Sequence, residues 1–226
     1  MKVVVCNGGY RTGSTLSFHI CLKIAEKNNV PNLNSVGTSD EVIREILGQD
    51  HGNSWWIIKS HTFKKIDKIY PNLKLIHSYR NPLSVAASHQ TRHGMPEDDA
   101  DYMNYVFSYL KEQRETTLSL KDKKSCLLVS YDKLVDDTVN SVKSIAKHIG
   151  LPLTDEQANE IKEDVSVEKT KEMCNQIDVG GINAYTQMRY GQIGKYDGRT
   201  DYWKEILSDS LINKIKNEIG IDYINF

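Results

Sequence analysis

The chain is short of the features that would place it quickly. It has four cysteines in 226 residues: Cys6, Cys21, Cys126 and Cys174. No pair stands at a C-x-x-C or other metal-binding spacing, so zinc ribbons and related sites are excluded. Cys6 and Cys126 lie in apolar, strand-like runs and read as buried free thiols. That usage fits a reducing, cytoplasmic compartment. An excess of charge is also missing, with 29 Lys and Arg against 30 Asp and Glu. A general basic field for coating nucleic acid is therefore excluded, although a local basic pocket is not. No apolar run approaches the ~20 residues of a membrane span. The N-terminus enters a strand directly, without the pattern of a secretory signal. There is no internal repeat, low-complexity tract or dividing linker. These absences lead to the expectation of one soluble domain over 1–226, with neither nucleic acid nor membrane as partner.

What is present is a regular alternation. Val3 to Cys6, Trp55 to Lys59, Lys74 to Tyr79 and Ser125 to Ser130 are apolar runs without strict period-two patterning. Such runs suit parallel strands covered on both faces. Helical patterns lie between and after them. One runs from Ser14 to Lys27. Another covers Asp40 to Leu47, with Ser39 as cap and Gly48 as stop. A third opens at Pro82 and reaches about His93. The rest cover Asp98 to Leu120, Asp132 to Ile149, a stretch capped by Thr154, and Tyr202 to Ile219. The expected fold is α/β, a central, doubly wound parallel sheet flanked by helices, of the P-loop NTPase-like kind. Asp178 to Thr200 shows little periodicity, and loops of that length are usually functional or disordered.

One absence sits inside a motif. "GGYRTGST", Gly8 to Thr15, nearly spells the phosphate loop G-x-x-x-x-G-K-[ST], but Ser14 replaces the lysine. A glycine-rich turn from strand to helix aims backbone N–H groups and the helix dipole at one anion. A bland alternative is a tight turn whose glycines serve only geometry. An NTPase needs that lysine on its β- and γ-phosphates. A sulfuryl group, with one charge, needs it less than a terminal phosphoryl group, whose second pKa is ~6. Arg11 is placed to stabilise the bridging oxygen of such a donor. Ser14 and Thr15 can donate hydroxyls to the phosphate that stays behind. Arg80 ends a strand beside the loop, well placed for a bidentate grip on a second phosphate. Ser88 follows about two helical turns later.

"GGYRTGST" together with "YRNPLSVAAS" resembles the two donor-binding signatures of the sulfotransferases that use 3′-phosphoadenosine-5′-phosphosulfate (PAPS). The resemblance implies that the first loop, Gly9, Tyr10, Arg11, Thr12, Gly13, Ser14 and Thr15, cradles the 5′-phosphosulfate. It implies that Arg80 and Ser88 hold the 3′-phosphate. "IIKSHTF" resembles the family's K-T-H segment, which would make Lys59 a contact to the sulfuryl group and His61 the general base. "MRYGQIG" resembles a late R-K-G-x-x-G motif, assigning Arg189, Tyr190 and Gly191 to the 3′-phosphate, with Tyr190 in place of lysine. Tyr131 matches a tyrosine near the adenine. No metal is implied, and the product nucleotide would be 3′-phosphoadenosine-5′-phosphate (PAP).

The sequence departs from the family in several places. Arg11 stands where lysine is common. Leu16 stands where an aromatic residue often stacks on adenine, which leaves Trp55, Trp56 or another group for that task. About ten residues separate Gly194 from Trp203 and Lys204, more than is usual. "VSVEKT" matches the adenine-contact segment only loosely.

The resulting expectation is in-line sulfuryl transfer to a hydroxyl or amine of a small-molecule acceptor, with His61, Lys59 and Arg11 as the catalytic set. Glu41, Asp98, Asp99 and Asp101 are the acids that could supply a carboxylate base instead. Two alternatives stand beside it: a phosphate-loop kinase for a small molecule or nucleoside, and a non-catalytic nucleotide-binding module. "PEDDADYMNYVFSYL" suits an acceptor wall, a homodimer face or a solvated helix. Met103, Val106, Phe107 and Leu110 recur at helical spacing, which favours a core stripe.

Overall fold

The first strand, β1 (Lys2–Asn7), is the "KVVVCN" run, buried from Val3 onward. Its side chains divide between two cores. Val4 and Cys6 join a cluster on one face of the sheet, and Val3 and Val5 join a cluster on the other. This division is the physical content of an apolar run without alternation: both faces of the strand are covered. Each fully buried Val, Ile or Leu of this kind stabilises the fold by roughly 1.5–3 kcal/mol.

The computed structural model describes residues 2–36, 45, 48, 54–61, 73–94, 96–190, 193, 196 and 198–221. Its sheet has five parallel strands, β1 with β2 (Asn32–Val36), β3 (Trp55–Ser60), β4 (Lys74–Tyr79) and β5 (Cys126–Ser130). The order is β2-β3-β1-β4-β5. The chain builds to one side of β1, then crosses to the other. The strand order therefore reverses between β1 and β4, the place where open α/β sheets bind ligands.

Helix α1 (Ser14–Lys27) follows β1, and α2 (Pro82–His93) follows β4. Asn81 starts α2 by accepting a hydrogen bond from the Leu83 N–H, with Pro82 in the first turn. Helix α3 (Ala100–Leu120) is capped by Asp99 and buries Val106, Phe107 and Leu110. These are three residues of the expected core stripe, and the fourth, Met103, is partly buried against the same cluster. After β5 come α4 (Tyr131–Asp136), α5 (Thr138–Ile149), α6 (Asp155–Asp164), α7 (Val167–Asn175), α8 (Trp203–Ile206) and α9 (Asp209–Glu218).

The structure corrects several boundaries. β2 is a fifth strand, polar in sequence. It is tolerated because it lies at the sheet edge and pairs only with β3. The single helix expected over Asp132 to Ile149 is two. The Thr138 hydroxyl donates to the Leu134 carbonyl and the Ser141 hydroxyl to the Lys133 carbonyl, at the Asp137 break. Tyr202 to Ile219 likewise divides, with Ser208 capping α9. The helix expected over Asp40 to Leu47 lies outside the described residues, apart from Glu45.

Candidate active site

The loop from Gly8 to Gly13 is wedged between elements that leave it no room for side chains on its inner side. A Cβ on Gly9 would sit 2.2 Å from the Tyr109 hydroxyl. Gly13 has φ +93°, and a Cβ there would meet the Tyr131 ring at 2.8 Å. Arg11 adopts φ +68° without being glycine, a conformation costing roughly 1–3 kcal/mol unless the surroundings hold it. They do hold it. Thr12 donates to the Gly9 carbonyl at 2.8 Å, and Tyr109 donates to the Tyr10 carbonyl at 2.9 Å. Arg80 donates to the Arg11 carbonyl at 3.3 Å. Helix α1 then begins with no side-chain cap and no acid in its first turn. Its orphan N–H groups and positive dipole end are left for a ligand.

Beneath the loop lies a polar foundation that fixes its height. Thr117 gives its hydroxyl proton to the Gln113 carbonyl at 2.8 Å. Its oxygen therefore accepts from His77 Nε2–H, 3.1 Å away. His77 Nδ1 is then the acceptor for the Asn7 amide at 3.0 Å. Burial lowers the His77 pKa to about 4, which keeps this neutral tautomer near pH 7. Asn7 ends β1 and His77 lies on β4, so the network ties together the two strands that flank the switch point.

At the tip of β3, Lys59 and His61 reach the same cavity. His61 Nδ1 lies 2.8 Å from the Gly8 carbonyl. A carbonyl only accepts, so Nδ1 carries the proton and Nε2 keeps its lone pair. The imidazole stacks on Tyr10 at 4.5 Å. Burial lowers its pKa to about 4, opposed by the Gly8 hydrogen bond and helped to a lesser degree by the charges of Lys59 and Arg189. Burial and Arg189 lower Lys59 to about 8, so it remains cationic near neutrality.

Arg80 follows β4 and is 3% exposed. Its guanidinium donates to the carbonyls of Arg11 and Arg199 and lies 3.9 Å over the Tyr131 ring. Its Nε has no partner. Asp132 is the nearby acid, but burial raises its pKa more than Arg80 lowers it. Among the described residues, no carboxylate forms a salt bridge with this buried cation. Ser88, two turns into α2, accepts from Arg11 Nε at 2.6 Å. The loop and the Arg80–Ser88 pair lie within one side chain's reach of each other.

A cavity of about 760 Å³ collects these groups. Among the sequence-selected residues, Tyr10, Arg11, Gly13, Ser14, Thr15, Lys59, His61, Arg80, Tyr131 and Arg189 line it. Gly9 and Thr12 face inward to the protein and shape the loop. Ser88 sits behind Arg11. Tyr190 is not brought in. It is 42% exposed, and its N–H is turned to the Gly181 carbonyl. Gly191 lies outside the described residues. Arg189 acts on Lys59 and His61, whereas the late segment that meets Arg80 is Arg199. Asp98, Asp99 and Asp101 do not line the cavity, and Asp99 is engaged as the α3 cap.

Trp55 and Trp56 do not reach the site either. They begin β3, and Trp55 pairs in register with Lys2 at the opposite end of the sheet. The apolar wall near Tyr131 is made instead by Leu16, Leu134, Val165 and Val167. This wall includes the "VSVEKT" segment. His89 and His93 also line the cavity, within the stretch from His89 to Asp101 that the sequence offers for an acceptor pocket, and so does Tyr105 from the run that suits an acceptor wall. The signal available was spacing: His89 with His93, and Tyr105 with Tyr109, stand four apart on helices. Among the described residues, no group of three or more His, Cys, Asp or Glu is placed to hold a metal ion. No helix among them is long and apolar enough to cross a membrane.

The family model described as "Sulfotransferase domain" matches residues 21–219. Comparison with curated proteins gives no match. Among solved structures, retinol dehydratase in complex with androsterone and inactive cofactor PAP is 15% identical, with a TM-score of 0.66. The match covers 99% of this chain and 80% of that one. Mouse sulfotransferase SULT7A1 complexed with PAP is 14% identical with a TM-score of 0.68, covering 96% of this chain and 82% of that one. At these identities the likeness establishes a shared fold.

Proposed function

The chain belongs to the sulfotransferase domain family, and from that premise we propose that it moves the sulfuryl group of PAPS to a hydroxyl or amine of a small-molecule acceptor, with His61 as base. The observation that carries the donor assignment is Arg80: a buried guanidinium at the switch point, with an idle Nε and, among the described residues, no salt bridge. Burying such a charge is costly unless an anion completes it. A 3′-phosphate would do so, with Ser88 beside it. The uncapped start of α1 suits the 5′-phosphosulfate. The wall of Leu16, Leu134, Val165 and Val167 suits an adenine ring. Arg11, Lys59, Arg80 and Arg189 line one cavity, as a ligand with several negative charges requires.

PAPS supplies the sulfuryl group, whose bond to the 5′-phosphate oxygen breaks as the bond to the acceptor forms. His61 Nε2 takes the acceptor proton, because Nδ1 is committed to Gly8. Lys59 and Arg11 face the negative charge that gathers on the sulfuryl and leaving oxygens. Aimed donors of this kind typically contribute ~3–4 kcal/mol each. A kinase reading finds no comparable support, because Ser14 occupies the lysine position and Asp132 does not line the cavity.

The test is ligand preference together with transfer. In calorimetry, PAP should bind at least 100-fold more tightly than ATP with Mg²⁺, because only PAP offers Arg80 a 3′-phosphate. Incubation with ³⁵S-labelled PAPS and a panel of alcohols, phenols and amines should label at least one acceptor. Tighter binding of ATP with Mg²⁺ would favour the kinase. PAP binding with no label on any acceptor would favour a binding module.

A further inference from the structure

The cavity holds a second polar anchor that no step above uses. His89 directly follows Ser88 on α2 and lines the cavity while only 3% exposed. Neither of its ring nitrogens has a hydrogen-bond partner. Buried polar atoms are nearly always partnered, so an imidazole with two idle nitrogens on a cavity wall points to a ligand. Its ring is fixed in place. His93 stacks on it at 5.7 Å, and Tyr105 and Tyr109 present to it edge-on at 6.2 and 5.2 Å. Tyr109 is tied in turn to the phosphate loop through the Tyr10 carbonyl. Burial, then His93 and Arg11, lower the His89 pKa to about 4. Near pH 7 the ring is therefore neutral, with one nitrogen donating and the other accepting.

Its surroundings indicate what it would meet. Tyr10 and Tyr105, each 53% exposed, line the same cavity. Tyr10 stacks on His61 and lies 6.4 Å from Tyr109, so base and anchor share one aromatic wall. The acids among the described lining residues, Glu163 and Glu168, belong to α6 and α7 and not to this wall. Flat rings pack well on such a surface, in offset or edge-on contact.

We propose that His89 determines acceptor specificity: its imidazole hydrogen-bonds a second polar group on a ring-bearing acceptor whose first hydroxyl is presented to His61. This rests on the sulfuryl-transfer reading above. A site built to bond a substrate hydroxyl discriminates against analogues that lack it.

The test uses the full chain saturated with PAP and titrated by calorimetry with phenol, catechol, resorcinol and hydroquinone. One diol should bind at least tenfold more tightly than phenol, about 1.4 kcal/mol. In His89→Phe that ratio should fall to about one. His89→Gln, which keeps a donor and an acceptor, should retain most of it. Without any variant, the ¹⁵N signals of His89 in the PAP complex should move on adding the preferred diol and not on adding phenol. Absence of any diol preference, its survival in His89→Phe, equal loss in His89→Gln or unmoved ¹⁵N signals would each overturn the proposal. Failure of the donor reading registers separately, as no PAP binding before any phenol is added, and overturns this proposal with it.

Discussion

His61→Ala should lower kcat by roughly 10²–10⁴-fold, the range a positioned general base supplies. The geometry gives this residue one role. Its Nδ1 proton is spent on Gly8, its ring is held by Tyr10, and its remaining nitrogen is a lone pair near Lys59. PAP affinity should change little, because no anion contact is lost. The pH profile makes the role specific. A histidine whose pKa is lowered to about 4 stays deprotonated as pH falls, so the acid limb of kcat/KM for the free enzyme should appear only near 4. Lys59, lowered to about 8, loses its charge as pH rises through that value, giving the alkaline limb. His61→Ala should erase the acid limb while keeping the alkaline one. A variant that retains both limbs and near-normal turnover would remove His61 from the chemistry.

The second large effect belongs to Arg80. Arg80→Ala should weaken PAP by about 10–150-fold, the equivalent of a charge-assisted contact worth ~1.5–3 kcal/mol. Adenosine-5′-phosphosulfate, which lacks the 3′-phosphate, should lose far less. Calorimetry with both ligands separates recognition from structure. Arg80 also holds the Arg11 and Arg199 carbonyls and lies on Tyr131, so its removal loosens the loop as well. Loosening alone would weaken both ligands equally. Arg80→Lys keeps the charge but loses the planar fork, and should fall between the two. Equal losses for the two ligands would contradict a 3′-phosphate role.

The parts of this molecule that were legible in its sequence are those set by local rules. β1, β3 and β4 announce themselves as apolar runs because both their faces are buried. The phosphate loop is legible because a strand, a glycine-rich turn and a helix follow one another without a break. Arg80, Asn81 and Pro82 form a strand end and a helix start within three residues. Other features depend on partners distant in the chain. β2 is an edge strand and can be polar, so its composition carries no signal. Val165 and Val167 are ordinary apolar residues until the end of α6 and the start of α7 bring them to the cavity that Leu16 also lines. Trp55 looked available for stacking because its distance from the cavity is fixed by strand direction, which a motif does not encode. Tyr190 turns outward because its backbone pairs with Gly181, a contact set by the fold of its own turn. For His89 the sequence offers a place in an acceptor-pocket stretch but no individual role. Its meaning lies in the rings around it, which come from two helices.

The most direct test of the whole account is a crystal structure of the protein with PAP. The account expects the 5′-phosphate at the N–H groups that open α1, and the 3′-phosphate within hydrogen-bond distance of Arg80 and Ser88. The adenine should lie against Leu16 and Val167. A nucleotide bound elsewhere, or one whose 3′-phosphate points to solvent away from Arg80, would contradict it.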